Sequence, residues 1–139
     1  APLHGHIEAL RAANVELHCL RDLTRGGLAA AVCEIAIQRH LRLEIVEDRV
    51  PVTDPVRGAC ELLGLDPLHV ANEGRFVAFV PADQAQTACD ALRRYAPDDG
   101  ATIIGSASET TDGLVLLESA IGVQRILERL SGEQLPRIC

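Results

Sequence analysis

Two adjacent glycines, Gly26 and Gly27, stand immediately before the apolar run Leu28 to Gln38, and that junction dictates how the chain builds its core. Leu28, Val32, Ile35 and Ala36 follow the i, i+4, i+7, i+8 spacing of one helix face, so the pattern predicts a helix over 28–38. Upstream, Val15 to Leu20 alternates and ends at Arg21-Asp22, which predicts a strand leading into a turn. Asp22 or Thr24 is placed to cap the helix, and the glycines let backbone N–H groups face outward at its positive end. A strand, a glycine turn and a helix start can hold an anion. Paired glycines at a helix start equally serve close packing, and the residues alone leave both readings open.

The remaining chain alternates helix-period and strand-period segments. A lead-in helix over Ile7–Ala13 follows His4-Gly5-His6, whose histidines read as surface residues of a linker rather than metal ligands, the H-x-H spacing with a distant His18-Cys19 being weak. Leu41 to Glu47 is a half-buried strand. Thr53 or Asp54 caps a helix with Pro55 in its first turn, ended near Leu63 by Gly64. Leu68–Ala71 and Arg75–Val80 read as short strands joined through Asn72-Glu73-Gly74, which sets Glu73 at a tight turn. A helix over 82–94 stops before Pro97-Asp98-Asp99-Gly100. Strands over 101–107 and 113–118 flank the polar loop Ser108–Asp112, and Ile121–Leu127 pairs with the preceding strand. The expected architecture is α/β, one mixed β-sheet with helices packed on it and interleaved βαβ units.

Composition narrows this. Of 139 residues 47% are apolar but only 2% aromatic, so the core must be layers of Leu, Ile, Val and Ala. One domain is the default at this length. No apolar run approaches the roughly 20 residues of a membrane span, and no secretory h-region opens the chain; a cytoplasmic protein without membrane contact is expected. The net charge of −7, from 13 basic and 20 acidic residues, excludes non-specific attraction to nucleic acid. All 13 basic residues are arginine, so the chain lacks an ammonium for a transferring phosphoryl group or a Schiff base. Five scattered cysteines without a C-x-x-C pair argue against a disulfide framework or a structural zinc site. Cys33, Cys60 and Cys89 read as small core hydrophobes.

Cys139 stands apart. It ends the sequence after Gly132 and Pro136, which deny the segment a helix or central strand. A thiol tethered on one side only can travel between two sites. The competing reading is an incidental cysteine on a frayed end.

Arg21-Asp22-Leu23-Thr24-Arg25-Gly26-Gly27-Leu28, Glu61-Leu62-Leu63-Gly64-Leu65-Asp66-Pro67, Asn72-Glu73-Gly74 and the terminal Pro136-Arg137-Ile138-Cys139 together resemble the carboxyl-terminal domain of the HypE family of hydrogenase maturation factors. That family lies within the aminoimidazole ribonucleotide synthetase (PurM-like) superfamily. The first motif is shared across the superfamily, whereas the Pro-Arg-Ile-Cys ending is peculiar to the one family.

The resemblance implies a PurM-like carboxyl-terminal-domain sandwich over 1–131 and a flexible tail over 132–139. It implies that the carbamoyltransferase HypF loads a carbamoyl group on Cys139. ATP then drives dehydration of the thiocarboxamide to a thiocyanate, whose cyanide passes to the iron of a [NiFe]-hydrogenase through a HypC–HypD scaffold. In this chain Cys139 is then the acceptor, and Pro136, Arg137 and Ile138 guide it. Glu73 is the carboxylate near the thiocarboxamide, and Asp22, Thr24, Arg25, Gly26 and Gly27 help hold phosphate. Dehydration needs an amide oxygen made into a leaving group and a positioned base for the nitrogen's protons, roles that ATP and a partly desolvated Glu73 suit. Arg137 favours the Cys139 thiolate and the terminal carboxylate opposes it. In relatives an amino-terminal domain supplies most of the ATP and magnesium site and the homodimer interface, so this chain alone is expected to be inactive, with no metal of its own. The alternatives are the corresponding domain of another ATP enzyme of the superfamily, or a non-catalytic docking module.

Overall fold

The computed structural model describes residues 3–129, the side chain of Asp99 excepted. Four α-helices and six strands follow in the order α1 (His4–Ala12), β1 (Cys19–Leu23), α2 (Gly27–Arg39), β2 (Leu41–Val46), α3 (Asp54–Leu63), β3 (Asn72–Phe79), α4 (Ala85–Tyr95), β4 (Gly105–Glu109), β5 (Val115–Glu118) and β6 (Gln124–Ile126). The expected α/β sandwich is what forms, with its strands divided between two sheets. β1 and β3 pair antiparallel; the second sheet runs β4-β2-β5-β6. Within it β2 is antiparallel to β4 and parallel to β5. A parallel pair needs a crossover, and here the chain between β2 and β5 contains α3, β3, α4 and β4.

The core forms around α2. Its Leu28, Ala29, Val32, Cys33 and Ala36 pack with Leu43 and Ile45 of β2, Val115 and Leu117 of β5, and Leu68 and Leu127 from flanking segments. The expected face of Leu28, Val32, Ile35 and Ala36 is buried throughout, and Ala30, Ala31 and Cys33 bury the rest of the helix's first half. Small and β-branched residues let the backbone of α2 approach two strands, and each large aliphatic side chain removed from water contributes about 1.5–3 kcal/mol. A second, smaller cluster joins Leu10 and Val15 to Ala88, with Phe76, Val80 and Leu92 against it.

Helix ends follow from local chemistry. After α1, Asn14 adopts φ 54; its N–H reaches Arg11 O at 2.9 Å and Val15 N–H reaches Leu10 O at 3.1 Å. That is the paired pattern of a Schellman motif, sealed by Val15 against Leu10. It also corrects the first strand, which begins at Cys19 rather than Val15 because Val15 closes the helix. Gly64 at φ 66 ends α3 the same way, with Leu65 N–H on Cys60 O at 2.9 Å. The cap of α3 at Thr53 makes no side-chain bond. His6, expected in a surface linker, is buried in α1, its ring edge-on to Tyr95 at 5.0 Å and to Phe76 at 6.0 Å. Cys33, Cys60 and Cys89 are buried free thiols, as expected, and burial raises the pKa of Cys33 and of Cys89.

The loop between β4 and β5 is organised by Asp112. One carboxylate oxygen accepts from Thr110 Oγ1 at 2.8 Å and Leu114 N–H at 3.2 Å, and the other from Arg42 Nε at 3.0 Å and Arg42 Nη2. The Arg42 hydrogen bond, then that of Thr110, holds this carboxyl below its ordinary pKa. A carboxylate with a depressed folded-state pKa stabilises the fold above the ordinary carboxylate range and loses that contribution as pH falls through the folded-state value. Asp112→Asn is therefore expected to lower the thermal midpoint at pH 7, with the deficit shrinking in strong acid and in 1 M salt, which screens an exposed pair. Melting curves against pH check this; an equal deficit at every pH contradicts it.

Candidate functional site

The turn between β1 and α2 and the start of β3 lie side by side. Leu23 pairs with Asn72, while Asp22 pairs with Phe76. Between those two adjacent rungs β3 carries Glu73, Gly74 and Arg75 with no opposite number, a bulge made possible by Gly74 at φ 84. Glu73 was expected at a hairpin turn; it instead occupies the bulge of a continuous strand and is exposed. The strand expected over 68–71 is also absent. Pro67, which cannot donate to a ladder, starts a turn of 3-10 helix over Pro67–His69, closed by Asp66, whose side chain accepts from Leu68 N–H at 2.9 Å.

That 3-10 turn explains the glycine pair. A Cβ built on Gly27 would stand 2.4 Å from Val70 O and 2.7 Å from Leu68 O, so the start of α2 lies directly on the backbone of residues 68–70. Gly26, at φ 79, is the N-cap, and neither Asp22 nor Thr24 caps the helix with its side chain. Thr24 contributes its carbonyl, accepting from Gly27 N–H at 3.0 Å. The close-packing reading of the glycines is thus realised. For an anion the surroundings are mixed: two carbonyl oxygens crowd the helix start and one N–H is used internally, while Asp22, Thr24 and Arg25 are exposed on the rim. Arg25 is the group of this turn with the charge to meet phosphate. Among the described residues no group of three or more His, Cys, Asp or Glu is arranged to hold a metal ion.

The structure therefore brings the glycine turn and Glu73 together across the β1–β3 pair. Cys139, Pro136, Arg137 and Ile138 lie outside the described residues. Near where the described chain ends it meets Cys33, read above as a small core hydrophobe, and two residues that sequence inspection passed over, Glu34 and His69. Glu34 of α2 accepts from Arg129 at 3.0 Å and from Arg21 at 2.6 Å. His69 Nε2 bonds Glu128 O at 3.1 Å, and the Cys33 thiol donates to Leu127 O at 3.3 Å. One signal was present: Glu34 is the only charged residue between Gly26 and Arg39, in a helix otherwise buried through its first half.

Known proteins share the fold of this chain. The family model described as AIR synthase related protein, C-terminal domain, matches residues 2–118. The carbamoyl dehydratase HypE of Azotobacter vinelandii is 47% identical over 137 residues, 99% of this chain and 40% of the relative. A crystal structure of hydrogenase maturation protein HypE has a TM-score of 0.91 at 41% identity, over 100% of this chain and 45% of that one. HypE in complex with ATP gives 0.87 at 41% identity, over 96% of this chain and 41% of that one. A HypE–HypF complex gives 0.85 at 37% identity, over 94% and 42% respectively. The chain spans about 40% of the length of the curated relatives it matches. With an α/β sandwich, a glycine turn seated on a 3-10 turn, and a family model covering most of its length, the chain belongs to the family of AIR synthase related protein C-terminal domains.

Proposed function

We propose that this chain is the carboxyl-terminal part of an ATP-dependent carbamoyl dehydratase that makes the cyanide ligand for the iron of a [NiFe]-hydrogenase. The observation that carries the proposal is 47% identity, across 99% of the chain, to a protein named carbamoyl dehydratase HypE. The terminal Pro136-Arg137-Ile138-Cys139 is the ending on which the family resemblance turns. The body over 1–131 is the scaffold, and the tail over 132–139 carries the acceptor thiol.

The chemistry has two stages. In the first, the Cys139 sulfur, giving up its proton, attacks the carbonyl carbon of an activated carbamoyl group presented by a carbamoyltransferase of the HypF kind. The C–S bond forms as the carbamoyl C–O bond to the donor's phosphoryl group breaks; that group leaves with the electron pair, and S–C(=O)–NH2 results. In the second, the amide oxygen takes the γ-phosphoryl group of ATP and ADP leaves. The nitrogen gives up its protons as the C–O bond breaks, and S–C≡N, phosphate and ADP result. The oxygen removed is the one that departs in phosphate, so the sequence is a dehydration driven by ATP hydrolysis. Glu73 is the carboxylate assigned to the nitrogen's protons, acting as a positioned general base. Its place in the bulge, beside the turn that holds Arg25, supports that role. Pro136, Arg137 and Ile138 steer the tail.

ATP and its magnesium are assigned chiefly to an additional amino-terminal domain of the longer enzyme, where a homodimer interface also belongs. The solved HypE structure with ATP supports nucleotide binding by such enzymes. Within this chain, Thr24, Arg25 and the backbone at Gly26 and Gly27, with Asp22 beside them, form the rim nearest the phosphates. The HypE–HypF complex supports HypF as the carbamoyl donor's carrier, and a HypC–HypD scaffold is the expected receiver of cyanide. Among the described residues no helix is long and apolar enough to cross a membrane, and the setting proposed is the cytoplasm.

Incubated with the carbamoyltransferase, carbamoyl phosphate and ATP, the chain is expected to gain the mass of one carbamoyl group, localised to Cys139 by peptide mapping, and Cys139→Ala to gain none. An adduct on another cysteine, or none on the native chain, defeats the proposal. Fused to the amino-terminal part of the Azotobacter vinelandii relative, a Glu73→Gln chain should accept the carbamoyl group yet form thiocyanate about 100-fold or more slowly, the usual cost of losing a general base. Thiocyanate formed at the native rate would remove Glu73 from the mechanism.

A further inference from the structure

Residues Leu127, Glu128 and Arg129 follow the last strand and precede the ten residues that end in Cys139. The end of a chain ordinarily frays, yet here three successive residues are each gripped by a different part of the body. Leu127 is 3% exposed, its side chain in the main core. Its N–H donates to Val115 O at 2.8 Å, and its carbonyl accepts from the Cys33 thiol at 3.3 Å. Burial, the largest influence on Cys33, keeps that group a thiol able to donate. Glu128 O accepts from His69 Nε2 at 3.1 Å. A carbonyl can only accept, so Nε2 carries the hydrogen, and Nδ1 faces Asp66 Oδ2 at 3.4 Å.

Arg129 completes the grip. Its guanidinium lies on one oxygen of Glu34 at 3.0 Å, while the other oxygen of Glu34 holds Arg21 at 2.6 Å. One carboxylate on α2 thus joins β1 to the root of the tail. The holders sit on the elements that form the candidate site: α2 begins at Gly27, the turn bearing His69 supports Gly27, and β1 carries Arg21 just before Asp22.

We propose that Glu34 and His69 are positioning residues that fix where, and in which direction, the tail bearing Cys139 departs. The proposal rests on the assignment of Cys139 as acceptor. A chain of ten residues reaches at most about 35 Å, and seven residues of helix separate Glu34 from Gly27, about 10 Å, so the face containing the glycine turn and Glu73 lies within the reach of such a length from Arg129. Releasing Arg129 lengthens the tether only slightly. The clamp therefore acts mainly on direction, raising the chance that the thiol meets a site on this side of the domain.

The test uses this chain, its Glu34→Gln and Arg129→Gln variants, and the double variant, with melting curves to verify folding. Trypsin also cuts after Arg137, so cutting after Arg129 is followed by intact mass as the appearance of the body that ends at Arg129. Because Arg129 is 61% exposed and Glu34 27%, the pair is partly screened, and Glu34→Gln should release the peptide roughly two- to fivefold faster. In carbamoyl loading, the same variant should raise KM for the chain roughly two- to fivefold with kcat unchanged, and the effect should vanish in the Arg129→Gln background. Partial unfolding of the substrate chain would also raise the apparent KM, so the comparison is made at a temperature where the melting curves show every variant fully folded. Native release and native KM overturn the proposal, as does faster release with an unchanged KM. A native chain that trypsin shows to be clamped but that accepts no carbamoyl group overturns the acceptor assignment, and with it the guiding role, while the clamp itself stands.

Discussion

The contact between Gly27 and the carbonyls of Leu68 and Val70 sets the rest of the domain. It is a backbone-on-backbone contact, closer than any side chain permits, and it decides the depth at which α2 enters the core. With α2 at that depth, Leu28, Val32 and Ala36 meet β2 and β5, and the 3-10 turn of Pro67–His69 is pinned beneath the helix start. The following strand then begins beside Leu23, and the bulge bearing Glu73 falls next to the turn from Thr24 to Gly26. Packing and candidate chemistry share one origin, because the residues that let the helix sit down also place the carboxylate.

α2 has a second office. Most of it is buried, and its one charged residue before Arg39 is spent on two arginines rather than on water. An ion pair this exposed adds little to global stability. Its effect is better measured in geometry: it ties β1, the central helix and the residues leading into the tail into one unit. The Cys33, Glu34 and His69 contacts hold Leu127, Glu128 and Arg129 against that unit.

Much of this was legible in the sequence. The periodicity of Leu28, Val32, Ile35 and Ala36 located the central helix and its buried face, Gly64 ended α3, and the alternation of Leu41 to Glu47 located β2, because each signal is local and strong. Errors arose where a local signal had a non-local solution. Asn72-Glu73-Gly74 has turn chemistry, but its left-handed glycine serves a bulge, which only the register with β1 reveals. Leu68–Ala71 looked strand-like, yet Asp66 and Pro67 fold it into a 3-10 turn. His6 reads as polar, but Tyr95, far away in sequence, covers it. The two-sheet division depends on which strands find each other across the fold, information absent from any single segment. Of the candidate site, Glu73 and the glycine turn were identifiable as motifs, whereas their adjacency and the clamp at Arg129 were not.

The account stands on the seating of Gly27. An alanine there must hold φ near 62 with a Cβ 2.4 Å from a backbone oxygen, and left-handed strain plus overpacking should together cost about 2–4 kcal/mol. Urea unfolding of Gly27→Ala against the native chain measures it. A loss of that size supports the contact as the keystone of the domain, and a variant within about 0.5 kcal/mol of native stability, the range of an ordinary surface change, would contradict it.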